Sequence, residues 1–351
     1  MSLDAFLRQG FLPFEAALRR QPSELTRVVA TLRSSVRNVR RVPERPVFVA
    51  IGASLAAVAP AVELLRGHGI AARRVNAAEL EHRPSADPGD LVVAVSQSGR
   101  SRETVGALRH VTSRTLAIVN VTDSPIAART DEAILLGDLP DSLASTIGYT
   151  ATVAAASMLA ESWALGAPSP HWDSLGDRLA VFLTAVPDEI TLLAELLDEA
   201  HVVDVVAPVE HLGAAEAAAL LLREVPRVPA APFESRQYLH GLMEAAGPGT
   251  LHLVFDGPDS VHLLPSLAKG SGRVLRFGSN ATTYGPEGDG VLTISPPAVS
   301  AAETSIFTAA VLQQAARLVS RSRSIDPDEF LFLDTDIKLG DEVVEDNEPR
   351  R

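Results

Sequence analysis

Short strand-like runs alternate with stretches of helical spacing along this chain, and one of them, Pro46–Ile51, is apolar without a break. Pro46–Ile51 (PVFVAI), Ala71–Val75, Asp90–Val95 (DLVVAV), Arg114–Val121 and Ala133–Leu136 read as strands; Ser54–Gly67, Glu103–Val111 and Ser145–Leu165 read as helices. A strand that is apolar at every position is buried on both faces, which happens where helices cover both sides of a parallel sheet. After a connector the plan returns. Val202–Val206, Leu251–Phe255, Arg273–Phe277 and Val291–Ile294 read as strands, with helices over Ala214–Glu224, Val261–Lys269 and Ala301–Val319. The expected fold class is α/β, with two domains of similar size. Each is a parallel β-sheet flanked by helices in three layers (α/β/α), and an internal duplication is the expected origin.

The expected organisation is an N-terminal helical arm at 1–45, a first domain at 46–170, a linker helix at 171–200, a second domain at 201–323 and an acidic tail at 324–351. In the arm, Phe14, Ala17, Leu18, Leu25, Val28, Val29 and Leu32 keep a helical period. Pro22 is expected in the first turn of a helix that starts after Gln21. The tail holds ten acids against three bases. It reads as a solvated segment whose apolar stretch, Phe330–Leu333, should dock on the body.

Composition removes several classes of function. With 46% hydrophobic and 21% charged residues the chain is globular. A net charge of −13, with no dense cluster of lysine and arginine, argues against a nucleic-acid partner. The most basic stretch, Arg37–Arg45, reads as a solvated linker. No cysteine is present, which excludes disulfides, thiol catalysis, iron–sulfur clusters and zinc-thiolate sites. The histidines show no metal-ligand spacing, so no metal is expected. No apolar run is long enough to cross a membrane, and the first residues lack the features of a signal peptide. A cytoplasmic location is expected. Of the 31 basic residues, 29 are arginine, so Lys269 and Lys338 draw notice.

The chemistry concentrates in Ser96-Gln97-Ser98-Gly99-Arg100-Ser101-Arg102-Glu103-Thr104, which follows the DLVVAV strand and opens a helix. Ligands of open parallel sheets sit outside the carboxyl ends of the strands, and a helix start offers an anion unpaired N–H groups. Ser96, Ser98, Ser101 and Thr104 add hydroxyls, Gln97 adds an amide, and Gly99 lets the backbone come close. One serine would suffice as a cap; this many hydroxyls exceed that need, and they predict a phosphate site. Gly52-Ala53-Ser54 follows the first strand in the same way. Leu143-Ala144-Ser145-Thr146 precedes the long helix and reads equally well as an ordinary cap. No Gly-x-Gly-x-x-Gly turn follows any strand, which argues against a dinucleotide.

SQSGRSRET after DLVVAV, with GAS upstream and LAST downstream, resembles the SIS (sugar isomerase) family, and in particular the isomerase domain of the glucosamine-6-phosphate synthases. Arg20-Gln21-Pro22 is similar to a stretch that precedes that domain. Ala215–Ala218, Arg223-Glu224-Val225-Pro226, Phe233-Glu234-Ser235 and His240-Gly241 are similar to its second repeat, so the resemblance implies two SIS domains. It also implies roles. Gly52, Ser54, Ser96, Gln97, Ser98 and Ser101 would hold a sugar phosphate, and Ser145 would contact the sugar hydroxyls. Glu224 would move a proton between C1 and C2, with Glu234 in reserve. His240 would help to open the ring from the partner subunit of a homodimer with a composite active site. Lys338 would reach the open-chain sugar.

The resemblance implies a phosphosugar isomerase or an amino-sugar-phosphate deaminase or deglycase. It would work by ring opening and C1/C2 proton transfer, without a metal or organic cofactor and without a glutaminase domain. The chain also departs from the family. A lysine is often found three residues before the glutamate, where Leu220-Leu221-Leu222 stands here. Glu216 lies one residue further from Glu224 than expected, and His-Gly-Pro reads His240-Gly241-Leu242. These departures favour the alternative, a phosphosugar-binding sensor without turnover.

Overall fold

The computed structural model describes residues 11–39, 42–82, 89–270, 273–278 and 291–332. Ten strands form two sheets of five, and every pairing is parallel. The first sheet holds β1 (Pro46–Ala50), β2 (Arg73–Asn76), β3 (Leu91–Ser96), β4 (Arg114–Val119) and β5 (Glu132–Leu135) in the order β2-β1-β3-β4-β5. The second holds β6 (Val202–Ala207), β7 (Ala230–Glu234), β8 (Thr250–Phe255), β9 (Val274–Phe277) and β10 (Val291–Ile294) in the order β10-β9-β8-β6-β7. Traced from the β7 edge, the second sheet repeats the first: second strand, first, third, fourth, fifth. The expected repeat of plan is thus present in the topology.

Helices cover the sheets. They are α1 (Phe14–Asn38), α2 (Ala53–Ala57), α3 (Ala59–Gly67), α4 (Ala77–His82), α5 (Arg102–Leu108), α6 (Ile147–Leu165), α7 (Leu175–Ala185), α8 (Pro187–Glu199), α9 (Leu212–Glu224), α10 (Ser235–Leu239), α11 (Ser260–Gly270) and α12 (Ala301–Ser322). Every residue of β1, β3 and β8 is buried, as expected of strands covered on both faces. The long helix α6 is buried on nearly all sides and packs against α1, α3 and α12. Its alanines let those helices approach closely, so the main core runs continuously through both halves.

Several expectations are corrected. No helix starts after Gln21; α1 runs through Pro22. An interior proline costs about 3 kcal/mol. Phe14, Ala17 and Leu18 before it, and Leu25, Val28, Val29 and Leu32 after it, are all buried on the same core, and that packing outweighs the lost hydrogen bond. The arm is therefore a core element. The linker at 171–200 is two helices rather than one, divided at Val186 because Pro187 disfavours helical backbone just before it and suits a new first turn. β7 was not among the expected strands; it contains Pro232 and is an edge strand, where a missing N–H is tolerated. Of the apolar tail segment, Phe330 packs against the core while Phe332 is exposed.

Candidate functional site

In both sheets the chain reverses direction of winding between the first and third strands, the position where open α/β sheets take ligands. In the first half the two expected loops flank that point. Gly52–Ser54 follows β1, and Ser96–Thr104 leads from β3 into α5. Ser96 and Ser101 hydroxyls lie 2.9 Å apart, and Ser98 Oγ accepts from the Arg100 N–H at 3.3 Å. Gly99 has φ +64°, and a side chain there would collide with Ser124 Oγ at 2.2 Å, so only glycine allows this turn. The half-buried Ser54 hydroxyl and Gln97 amide make no hydrogen bond among the described residues. Thr104 is fully buried and its hydroxyl has no partner. In the second sheet, at the ends of β8 and β9, Arg276 Nε and Nη2 donate to the two Asp256 carboxylate oxygens at 2.6 and 2.7 Å.

Asn120, at the end of β4, ties the next part together. Its backbone N–H donates to Gln97 O at 3.0 Å, and its side chain bonds Leu139 N and O at 2.7 and 2.8 Å. This fixes the loop carrying Asp141, which sequence reasoning missed. The buried Asp141 carboxylate accepts from the N–H groups of Thr146, Ile147 and Gly148 and from the hydroxyls of Ser145 and Thr146, at 2.7–3.0 Å. Burial pushes its pKa up, against the pull of those donors. The start of α6 already holds a carboxylate, so it is not a phosphate site. Ser145 is not the cap; its hydroxyl is oriented by Asp141. A side chain at Gly148 would meet Asp141 Oδ2 at 2.4 Å, Gln97 Cγ at 2.7 Å and Ser145 Oγ at 3.0 Å. Gln97 and Ser145 are therefore neighbours across Gly148.

Glu224 arrives from the other half. It ends α9, which packs on α2, the short helix that carries Ser54. Ala217, Leu220, Leu221 and Glu224 share one helical face, and this face lines a cavity with Ala53, Ser145, Tyr149 and Gln313. Glu216 is eight positions from Glu224, which turns it roughly 80° around the helix from Glu224. It makes a two-pronged ion pair with Arg74 of β2 instead, with one contact at 2.7 Å, and this clamps the two halves together. Glu224 has no ion pair or hydrogen bond among the described residues. Burial alone raises its pKa from 4.5 to about 7. Glu224 also borders a second cavity of about 350 Å³, lined by Arg223, Arg227, Val228, Pro229 and Phe330–Phe332.

Gln21, 1% exposed, explains the Arg20-Gln21-Pro22 stretch. Its amide donates to Thr146 O at 3.2 Å and to Gln313 Oε1 at 3.0 Å. It thereby fixes α1, the start of α6 and Gln313, and leaves the Gln313 N–H groups without a partner among the described residues.

The other expected residues lie elsewhere. Glu234 caps α10 by accepting from the Arg236 and Gln237 N–H groups at 3.0 and 2.8 Å, so it is spent as a cap and does not line the Glu224 cavity. His240 follows α10 and is exposed, and it does not line that cavity either. The buried Tyr238, which donates to Asp204 at 2.6 Å and lies 3.1 Å from His252 Nε2, anchors the same short helix. Lys338 lies outside the described residues. Among the described residues no acid–histidine group is placed to hold a metal, and no helix is long and apolar enough to cross a membrane.

Comparison with known proteins gives a family match for the first half and a shared fold for most of the chain. Residues 41–162 match the SIS domain family model. The chain is 28% identical over 282 residues to glutamine–fructose-6-phosphate aminotransferase [isomerizing] of Mycobacterium bovis; the match covers 72% of this chain and 44% of that protein. The chain thus spans less than half the length of this curated relative. Among solved structures, the C-terminal domain of glucosamine-fructose-6-phosphate aminotransferase from Francisella tularensis superposes with a TM-score of 0.79 at 16% identity, covering 91% of this chain and 98% of that one. Tagatose-6-phosphate ketose/aldose isomerase from Escherichia coli superposes with a TM-score of 0.74 at 19% identity, covering 92% and 99%.

Proposed function

From the premise that this chain carries a SIS domain over residues 41–162, we propose that it binds a sugar phosphate or amino-sugar phosphate and moves a proton between C1 and C2. The second half would be a second SIS domain, in keeping with its repeated strand order. The observation that carries the reading is the convergence at one cavity of Glu224, unpaired and tuned to about 7, with Ser145, which is itself a neighbour of Gln97 in the hydroxyl-rich loop.

Ser54, Ser96, Gln97, Ser98 and Ser101 hold the phosphate through neutral donors, with the backbone of Gly52 and Gly99 alongside. Ser145 meets the sugar hydroxyls. Glu224, ionised, takes the proton from one carbon and returns it to the next. A carboxylate with a pKa near neutrality suits that task, because it is a stronger base than an ordinary glutamate and is still ionised in part. Ring opening falls to His240 of a second subunit in a homodimer, and the open chain is met by Lys338. Aldose–ketose isomerisation and deamination share this first half, so both products fit the same site.

A second reading is a binding protein without turnover. It is favoured by Leu220 and Leu221 on the cavity face, where the family often places a lysine close to its glutamate.

Titration calorimetry with fructose 6-phosphate tests the binding claim. Ser98→Ala should weaken binding about tenfold, as expected for one lost hydrogen bond to a charged group, and Glu224→Gln should leave it unchanged. Equal affinity for the parent and Ser98→Ala would place the phosphate elsewhere.

A further inference from the structure

We infer that the Tyr149 hydroxyl recognises the ligand, donating a hydrogen bond to an oxygen of the sugar held beside Glu224. This rests on the reading of the site as a sugar-phosphate site. Tyr149 is 5% exposed, and its hydroxyl has no hydrogen-bond partner. Tyr149 lines the Glu224 cavity, as does buried Gln313, whose N–H groups also lack a partner among the described residues. A buried hydroxyl without a partner destabilises the fold, so its presence calls for a partner from outside the chain.

The placement supplies that partner. Tyr149 lies in the first turn of α6, four residues after Ser145 in the chain, and both residues line the one cavity. The remaining walls are Ala53, Ala217, Leu220 and Leu221, with the Gln313 amide at one side. The space is small, about 30 Å³, so it has room for one hydroxyl or carbonyl oxygen of a sugar rather than for the whole ring. Burial and the charge of Glu216 both hold the phenol in its protonated form, and so keep it a donor. The phosphate loop is a separate part of the site, so sugar and phosphate recognition can be told apart.

Tyr149→Phe removes the hydroxyl and keeps the ring. Parent and variant are titrated with fructose 6-phosphate, glucosamine 6-phosphate and inorganic phosphate, and melted without ligand. The expected result is about tenfold weaker binding of the sugar phosphates and unchanged binding of inorganic phosphate. The ligand-free melting temperature should stay equal or rise, because an unpaired buried hydroxyl is gone. A purely structural role would move stability and both kinds of ligand together, and that outcome overturns the inference. So does unchanged affinity for the sugar phosphates, which would mean that the hydroxyl is satisfied by water alone. If the parent binds inorganic phosphate and neither sugar phosphate, the sugar-phosphate reading fails and takes this inference with it.

Discussion

At the scale of single residues the chemistry turns on Glu224. Its neighbours on α9, Ala217, Leu220 and Leu221, give its carboxylate no counter-charge, and burial lifts its pKa to about 7. As a base it must be ionised, so the rate of proton exchange should rise with pH through about 7 and level off above it. Initial rates across the neutral range check this; a flat profile would assign the base to another group. The same shift has a consequence for stability. The folded chain holds this proton more tightly than the unfolded chain, in which the glutamate titrates near 4.5. Its contribution to stability is complete below that value and is lost as pH rises through about 7. Glu224→Gln removes the loss. Urea melts at about pH 8 should find the variant more stable than its parent, on the order of 1–3 kcal/mol, with the two equal in acid. A variant less stable at both pH values would mean that the carboxylate has a partner in solution.

At the scale of elements, the start of α6 depends on one side chain that does not adjoin it in sequence. Asp141 satisfies three N–H groups and two hydroxyls there. Asp141→Ala should cost about 2–4 kcal/mol, lower the melting temperature by several degrees and weaken sugar-phosphate binding through the released Ser145; calorimetry and a thermal melt follow both. Such a residue is hard to read from sequence, because caps are sought next to the helix and Ser145 and Thr146 already fit that place. The strands were easier. Leu91–Val95 and Pro46–Ile51 are apolar at every position, a pattern that burial on both faces enforces. β7 was hidden by Pro232, which is acceptable because its outer edge is unpaired. The hydroxyl-rich loop after β3 stood out because its hydroxyls outnumber what a cap uses. Gln21, Tyr149 and Gln313 were not, since each matters through contacts or cavities far away in the chain, which no local pattern records.

At the scale of the whole molecule, one topology is used twice with unequal results. The first sheet's switch point carries the Ser54 hydroxyl and the Gln97 amide, which make no hydrogen bond among the described residues, while the ends of β8 and β9 in the second sheet carry the Asp256–Arg276 pair. The second half contributes instead through α9, held against the first by the Arg74–Glu216 pair. In the proposed homodimer, Glu224 and His240 of one site come from different subunits. Mixing Glu224→Gln with His240→Ala subunits should then restore about a quarter of the parent activity, since half of randomly mixed dimers carry one intact site of two. No recovery would place both residues in one subunit. Proton exchange itself is decided by proton NMR in D₂O, with fructose 6-phosphate and glucosamine 6-phosphate incubated with the protein. The C1 or C2 proton signal of at least one sugar should fade with the parent chain and persist with Glu224→Gln. Signals that persist with the parent, under conditions where the same sugars bind, would contradict catalysis and leave a phosphosugar-binding protein.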